Sequence, residues 1–234
     1  MTNAKRITIL MFAIIFTMSF AAGCGNSAEP TSGTTSAQST STTSSSSSTS
    51  TEASDSSSSN SADNTSSEIQ KVQIEMDNGD KMVFELYPQY APETVNNFIK
   101  LAESGFYDGL TFHRIVKGFM IQGGDPKGDG TGGADQTIKG EFASNGFTKN
   151  TLSHTKGVIS MARSQENDSA SSQFFIMNND EPGLDGNYAA FGKLVEGEDV
   201  LDKLSNTTVQ LNEFTGEQSQ PVEKVVIKKV TVLK

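Results

Sequence analysis

Residues 112–125 read Phe112-His113-Arg114-Ile115-Val116-Lys117-Gly118-Phe119-Met120-Ile121-Gln122-Gly123-Gly124-Asp125. Two short apolar runs flank Gly118, the pattern of two strands joined by a tight turn. Side chains two apart in a strand share a face. Phe112, Arg114 and Val116 are therefore expected to point one way, and Met120 and Gln122 form a second same-face pair. An arginine set among Phe, Val and Met has two readings. It is a sheet-edge residue laying its stem on apolar surface. Alternatively it is the one fixed cation of an apolar groove that, with the Gln122 amide, suits a neutral carbonyl-bearing ligand.

A second run, Ser171-Ser172-Gln173-Phe174-Phe175-Ile176-Met177, alternates in the same way, with Gln173 and Phe175 on one face and Phe174 and Ile176 on the other. Between the two lies Gly157-Val158-Ile159-Ser160-Met161-Ala162-Arg163. Further out, Val72, Ile74 and Met76 alternate with polar residues, Asp77-Asn78-Gly79-Asp80 turns the chain, and Met82, Phe84 and Leu86 resume the alternation, which predicts a hairpin with Asn-Gly at its tip. Pro92 to Ser104 reads as a helix with Pro in its first turn, Glu93 near its positive end, an apolar stripe of Val95, Phe98, Ile99 and Leu101, and Gly105 as its stop. Tyr188–Val195 is a further strand, Glu198–Leu204 a short amphipathic helix, and Val222–Leu233 the last strand. About eight strands and two helices suit a mainly β fold: a closed eight-stranded antiparallel barrel, filled by side chains, with a helix over each open end.

Taken in order, FHRIVKGFMIQGGD (112–125), GTGG (130–133), GVISMA (157–162), SSQFFI (171–176), LDG (184–186) and FGK (191–193) resemble the signature of the cyclophilin-type peptidyl-prolyl cis–trans isomerases, over residues 69–234. The resemblance implies the same barrel, with the ligand groove on its outer surface, and an enzyme that accelerates rotation of X–Pro bonds. It assigns the catalytic role to Arg114. Phe119, Met120, Phe175 and Leu184 are expected to line a proline pocket, and Gln122 to bond the substrate backbone and orient Arg114. Ala162, Arg163 and Gln173 are expected to border the groove for residues preceding proline. Three positions depart from the best-known pattern: Gly183 stands where a Trp is often found, Tyr188 where a His is common, and Arg163 where an Asn is frequent. They bear on rim and selectivity, and Gly183 implies weaker binding of the cyclic peptide inhibitor cyclosporin. The rival from another class is a cyclophilin-fold binding module that grips proline-containing segments without useful catalysis; the intact Arg114 favours the enzyme.

Other chemistries find little support. The chain has 234 residues with a net charge of −10, and no basic patch dominates, so nucleic acid is not an expected partner. Gly124–Gly133 is rich in Gly and Asp but lacks the Gly-Lys-Ser/Thr ending of a phosphate loop and the closing Glu of a calcium loop, which leaves a surface loop. Two histidines, His113 and His154, are too few for a convincing metal site, and no cofactor is expected. Ser153-His154 has no nameable third partner for nucleophilic catalysis. A solute-binding lipoprotein would need two lobes, for which the folded length leaves little room.

The first part of the chain reads as a targeting device. Lys5 and Arg6 precede an apolar run from Ile7 to Phe20, and Ala21-Ala22-Gly23-Cys24 resembles a lipobox, with Ala21 where Leu is favoured. Residues 1–23 are thus expected to be a lipoprotein signal peptide, with lipidation at Cys24, the only cysteine. A diacylglyceryl-type anchor supplies the more than one chain that stable attachment requires. Residues 24–68 form a tether: Ser and Thr make up 27 of the 37 residues from 31 to 67, with no large apolar side chain to bury. As a coil it spans roughly 35–40 Å. The whole then reads as a monomeric, extracytoplasmic isomerase held to the cell membrane by lipid, acting on proline-containing unfolded or newly secreted polypeptides.

Overall fold

The computed structural model describes residues 68–234. The expected signal segment, Cys24 and nearly all of the tether lie outside the described residues. The order is β1 (Gln70–Met76), β2 (Lys81–Leu86), α1 (Pro92–Glu103), β3 (Arg114–Val116), β4 (Met120–Gly123), β5 (Val158–Met161), β6 (Phe174–Met177), β7 (Ala190–Glu196), α2 (Glu198–Ser205), β8 (Val209–Asn212), β9 (Glu217–Pro221) and β10 (Ile227–Leu233). β1 and β2 pair in the register the alternation predicts, Ile74 opposite Met82 and Val72 opposite Phe84, around Gly79 at φ 87°. The apolar members of both strands are buried.

Eight strands form one antiparallel sheet in the order β10-β1-β2-β7-β5-β6-β4-β3. It is an open half-barrel, which corrects the expected closed barrel. Closure would need a continuous ladder between the edge strands β3 and β10. β3 has only three residues, and the chain before it makes isolated contacts instead: the Phe112 amide donates to the Val225 carbonyl, and the Ile227 amide to that of Leu110. The remaining two strands, β8 and β9, pair only with each other and went unrecognised because Gln210, Asn212, Gln218 and Gln220 interrupt any apolar rhythm.

Strand alternation divides the apolar residues into two clusters. Ile115, Ile121, Ile159, Phe174, Ile176 and Phe191 point inward with α1 and α2. Met120, Val158, Phe175, Met177 and Ala190 gather on the opposite face, with Phe119, Leu184 and Tyr188 packed on them. Phe112 joins the inner cluster, not Arg114's face as expected, because regular extension begins only at Arg114 and resets the alternation. In the inner cluster, Phe98 of α1 meets Tyr107, Phe174 and Phe191 at 4.9–5.4 Å between centroids.

Buried polar groups tie loops to this frame. α1 begins at Ala91, which has no capping side chain; the Glu141 carboxylate substitutes from 47–48 residues away, accepting the Glu93 and Thr94 amides at 3.0 and 2.8 Å. Asp185 supplies the third partner that Ser153-His154 lacked. Its Oδ1 accepts the His154 backbone amide at 2.7 Å and lies 2.8 Å from Nδ1, while Oδ2 accepts the Ser153 hydroxyl. The far ring nitrogen, Nε2, lies 3.0 Å from Ser160 Oγ. The spacing of Ser160, His154 and Asp185 is that of a nucleophile relay. However, Ser160 is 0% and His154 1% exposed, so no substrate carbonyl reaches them. The set is a latch that fastens residues 182–188 to β5.

Burial holds both histidines below their usual pKa. For His154 the Asp185 bond opposes that effect without cancelling it. At Asp185 burial pushes the carboxyl up, but the Ser153 and His154 bonds outweigh it and hold the group down. An unfolded chain therefore binds more protons than the folded one once pH drops below the ordinary histidine value of 6.5. Stability present above that pH is lost as pH falls toward the lower folded values; the Asp185 contribution is lost only beneath that window. Thermal melts should show a Tm that declines from pH 7 to 5, each histidine adding a slope of at most about 1.4 kcal/mol per pH unit. His154→Gln should make that decline shallower, and a wild-type Tm flat across this range would refute the linkage.

Candidate active site

One row of side chains crosses the outer face of the sheet. Arg114 of β3 stands opposite Gln122 of β4, Gln122 opposite Phe175 of β6, Phe175 opposite Ser160 of β5, and Ser160 opposite Ala190 of β7. The row runs from a cation through an amide to an aromatic floor, and His154 stacks on that floor at 6.0 Å with an interplanar angle of 16°. Of the ten residues singled out in the domain, nine line one cavity of about 230 Å³: Arg114, Phe119, Met120, Gln122, Ala162, Arg163, Phe175, Leu184 and Tyr188. The tenth, Gln173, lies in an adjoining cavity of about 340 Å³ that shares Gln122, Ala162 and Arg163 and is bounded by residues 130–133. The two cavities together make a groove.

A hydrogen-bond chain with one possible direction orders the polar side of this groove. Gln173 Nε2 donates to the carbonyls of Gly130 and Gly132 at 3.0 and 2.7 Å, which leaves its Oε1 to accept from Gln122 Nε2 at 2.9 Å. Gln122 Oε1 is then turned toward Arg114 and accepts from Nη1 at 3.1 Å. Reversing either amide would set donor against donor or acceptor against acceptor. The glycine loop that anchors the chain is itself wound around Asp125, whose carboxylate accepts the amides of Lys127, Asp129 and Gly130. Burial pushes the Asp125 carboxyl up, but backbone bonds from Lys127, Gly130 and Gly132 prevail and hold it below its usual range. Asp125 thus occupies the centre of the loop, and a Cβ at Gly132 would lie 2.0 Å from its Oδ1.

The rim is built differently. Arg163 borders both cavities, yet its guanidinium is engaged by the protein: Nε and Nη2 donate to the Asn187 carbonyl at 3.0 and 2.9 Å, and Nη1 to the Ser164 carbonyl at 2.9 Å. It lies 4.9 Å from the ring centroids of both Phe142 and Tyr188. Tyr188 stands edge-on to Phe175 at 5.7 Å, so it belongs to the pocket wall. Gly183 sits in the 3₁₀ turn Pro182–Leu184 beside the pocket residue Leu184. Arg114 has a partner that no local pattern announced: Glu217, 103 residues away, accepts from Nε and Nη2 at 2.6 and 2.8 Å. The arrangement offers an apolar cup, one oriented guanidinium and an edge of amides, with no nucleophile facing the cup. It can bind a small apolar ring and polarise or stabilise an amide beside it.

The family described as "Cyclophilin type peptidyl-prolyl cis-trans isomerase/CLD" matches residues 71–232. Peptidyl-prolyl cis-trans isomerase B of Bacillus subtilis is 48% identical over 134 residues, covering 57% of this chain and 90% of the relative. A peptidyl-prolyl cis-trans isomerase-like 2 of Gibberella zeae is 40% identical over 161 residues, covering 69% of this chain but only 26% of its own length. Among solved structures, a cyclophilin-type isomerase of Cryptosporidium parvum has 32% identity and a TM-score of 0.63, covering 71% of this chain and 99% of that one. The same Cryptosporidium protein in the presence of the dipeptide Ala-Pro gives 33% identity and a TM-score of 0.62, with 70% of this chain and 99% of that one covered. The chain belongs to the cyclophilin-type peptidyl-prolyl cis–trans isomerases.

Proposed function

We propose that this isomerase accelerates X–Pro rotation by letting Arg114 stabilise the twisted amide of a proline seated on Phe119, Met120, Phe175 and Leu184. The observation that carries this reading is the oriented Arg114 guanidinium at the edge of the apolar cup. An amide resists rotation by about 18–20 kcal/mol because of partial double bonding. When the bond twists, the nitrogen pyramidalises and becomes a hydrogen-bond acceptor, so a donor aimed there favours the transition state over either planar form. A 10⁵-fold acceleration needs about 7 kcal/mol. One preorganised donor contributes about 3–4 kcal/mol at best, and the remainder falls to a cup that fits the twisted ring. Gln122 holds the substrate backbone, and the preceding residues run past Ala162, Arg163 and Gln173.

The clients we assign are proline-containing unfolded or newly secreted polypeptides. Residues 1–23 act as a lipoprotein signal, Cys24 carries the lipid, and residues 24–68 tether a monomeric domain on the outer side of the cell membrane. The charged start, the apolar run and Ala21-Ala22-Gly23-Cys24 support this placement.

Three outcomes are expected. Exchange spectroscopy on a short proline peptide should show Arg114→Ala slower than wild type by about a hundredfold or more, with an unchanged melt; equal rates would defeat the catalytic assignment and favour a mere binding module. Cys24→Ser should move the protein from membranes to the soluble fraction or leave it unprocessed, and an unmodified Cys24 in membrane-bound protein, seen by mass spectrometry, would refute lipidation. Gly183→Trp should tighten cyclosporin inhibition about tenfold to a hundredfold. The position has no left-handed φ, and an added Cβ meets only the end of the Glu181 side chain at 3.0 Å. Unchanged inhibition in a folded variant would sink the rim assignment.

A further inference from the structure

The β8–β9 hairpin lies outside the eight-stranded sheet and brings one acidic residue to the site. Its tip is held by Asn212, whose Oδ1 accepts the amides of Phe214 and Thr215 at 3.0 and 3.2 Å and whose carbonyl accepts the Gly216 amide at 2.8 Å. Gly216 turns at φ 70°, and Glu217 follows as the first residue of β9, paired with Asn212. The carboxylate therefore leaves a fixed backbone position. Two parallel bonds meet the guanidinium, on Nε and Nη2, the fork geometry that sets orientation as well as strength. Both side chains are about one-third exposed, so the pair is shielded without being sealed from the groove.

Counting donors shows what this pairing leaves. A guanidinium carries five N–H groups. Glu217 takes Nε and one hydrogen of Nη2, and Gln122 takes one of Nη1. Among the described residues, the second Nη1 hydrogen meets only the Met120 sulfur at 3.6 Å, and the second Nη2 hydrogen has no acceptor. The second Nη2 hydrogen lies at the end of the fork away from the Nε edge that Glu217 holds. Without the carboxylate, Gln122 alone would restrain a long side chain that rotates about several bonds, and the donor would have to be ordered in each turnover. The Glu217 carboxyl is held below its usual range, chiefly by its bonds to Arg114 against the opposing effect of burial, so it is ionised at neutral pH.

We propose that Glu217 is a positioning residue for the isomerisation: it clamps the Nε edge of Arg114 and leaves the second Nη2 N–H, at the opposite end, aimed at the prolyl amide. This rests on the assignment of Arg114 to the reaction, and the test separates the two. In the full chain, Glu217→Ala should lower the exchange rate at saturating peptide about tenfold, while peptide Kd moves less than about twofold; a tenfold loss corresponds to ~1.4 kcal/mol. Glu217→Gln, which keeps shape and one acceptor, should fall between and serves if the alanine variant does not fold. The Arg114 Nε–H resonance should move upfield in both as the charged acceptor is lost. In an Arg114→Ala background, Glu217→Ala should change nothing further. The proposal is overturned if both Glu217 variants match or exceed wild-type turnover, the latter meaning that the carboxylate competes with substrate. It is overturned equally if Glu217→Ala slows Arg114→Ala as much as it slows wild type. If Arg114→Ala itself is as fast as wild type, the fault lies with the catalytic assignment and not with the clamp alone.

Discussion

Phe174 and Phe175 are neighbours in the chain and point to opposite faces of the sheet, and both are buried. A strand covered on both faces has to satisfy two packing problems at once. Phe174 stands edge-on to Phe98, Tyr107 and Phe112 in the core, while Phe175 forms the pocket floor with His154 stacked on it. A change at either residue is felt on the other face through one backbone. The floor of the pocket is thus a core strand seen from outside.

The polar parts of the site are organised by a different rule, the satisfaction of every buried donor and acceptor. Asp125 winds the 125–130 loop, the loop carbonyls orient Gln173, Gln173 orients Gln122, and Gln122 meets Arg114. Each step has one consistent direction, so the arrangement behaves as a unit and double-mutant effects within it should be far from additive. Beneath the floor, the Asp185–His154–Ser160 latch performs the same service for the opposite wall. Both networks fix the orientation of side chains along the groove.

Isomerisation suits such a scaffold. No bond is made or broken, so no nucleophile or proton carrier is required, and selectivity between planar and twisted amide is the whole of the task. A small difference in donor placement is then a direct difference in barrier, at about a factor of ten for each 1.4 kcal/mol. The hairpin carrying Glu217 has Phe214 fully accessible at its tip, yet its Glu217 carboxylate meets the Arg114 guanidinium.

Residue order alone carried both helices and the strands of the main sheet, the separation of Phe174 from Phe175, the hairpin at Asn78-Gly79, and nine of the residues that meet around one cavity. Those features follow from period and local turn chemistry, which are properties of short windows, and from motifs whose order is itself informative. Folding decided what depends on distance. Whether the sheet closes is settled by whether β3 and β10 run long enough side by side, and three residues do not suffice. Phe112 changed faces because an irregular residue shifts the alternation, which no pattern of apolar letters records. Glu217, Asp185 and Glu141 stood in the sequence as ordinary surface acids; they became a clamp, a latch and a helix cap only because backbones 31 to 103 residues away delivered unpaired donors to them. Pairing of charge with donor is a contact in space, and a chain read in one dimension contains the partners without the distance between them.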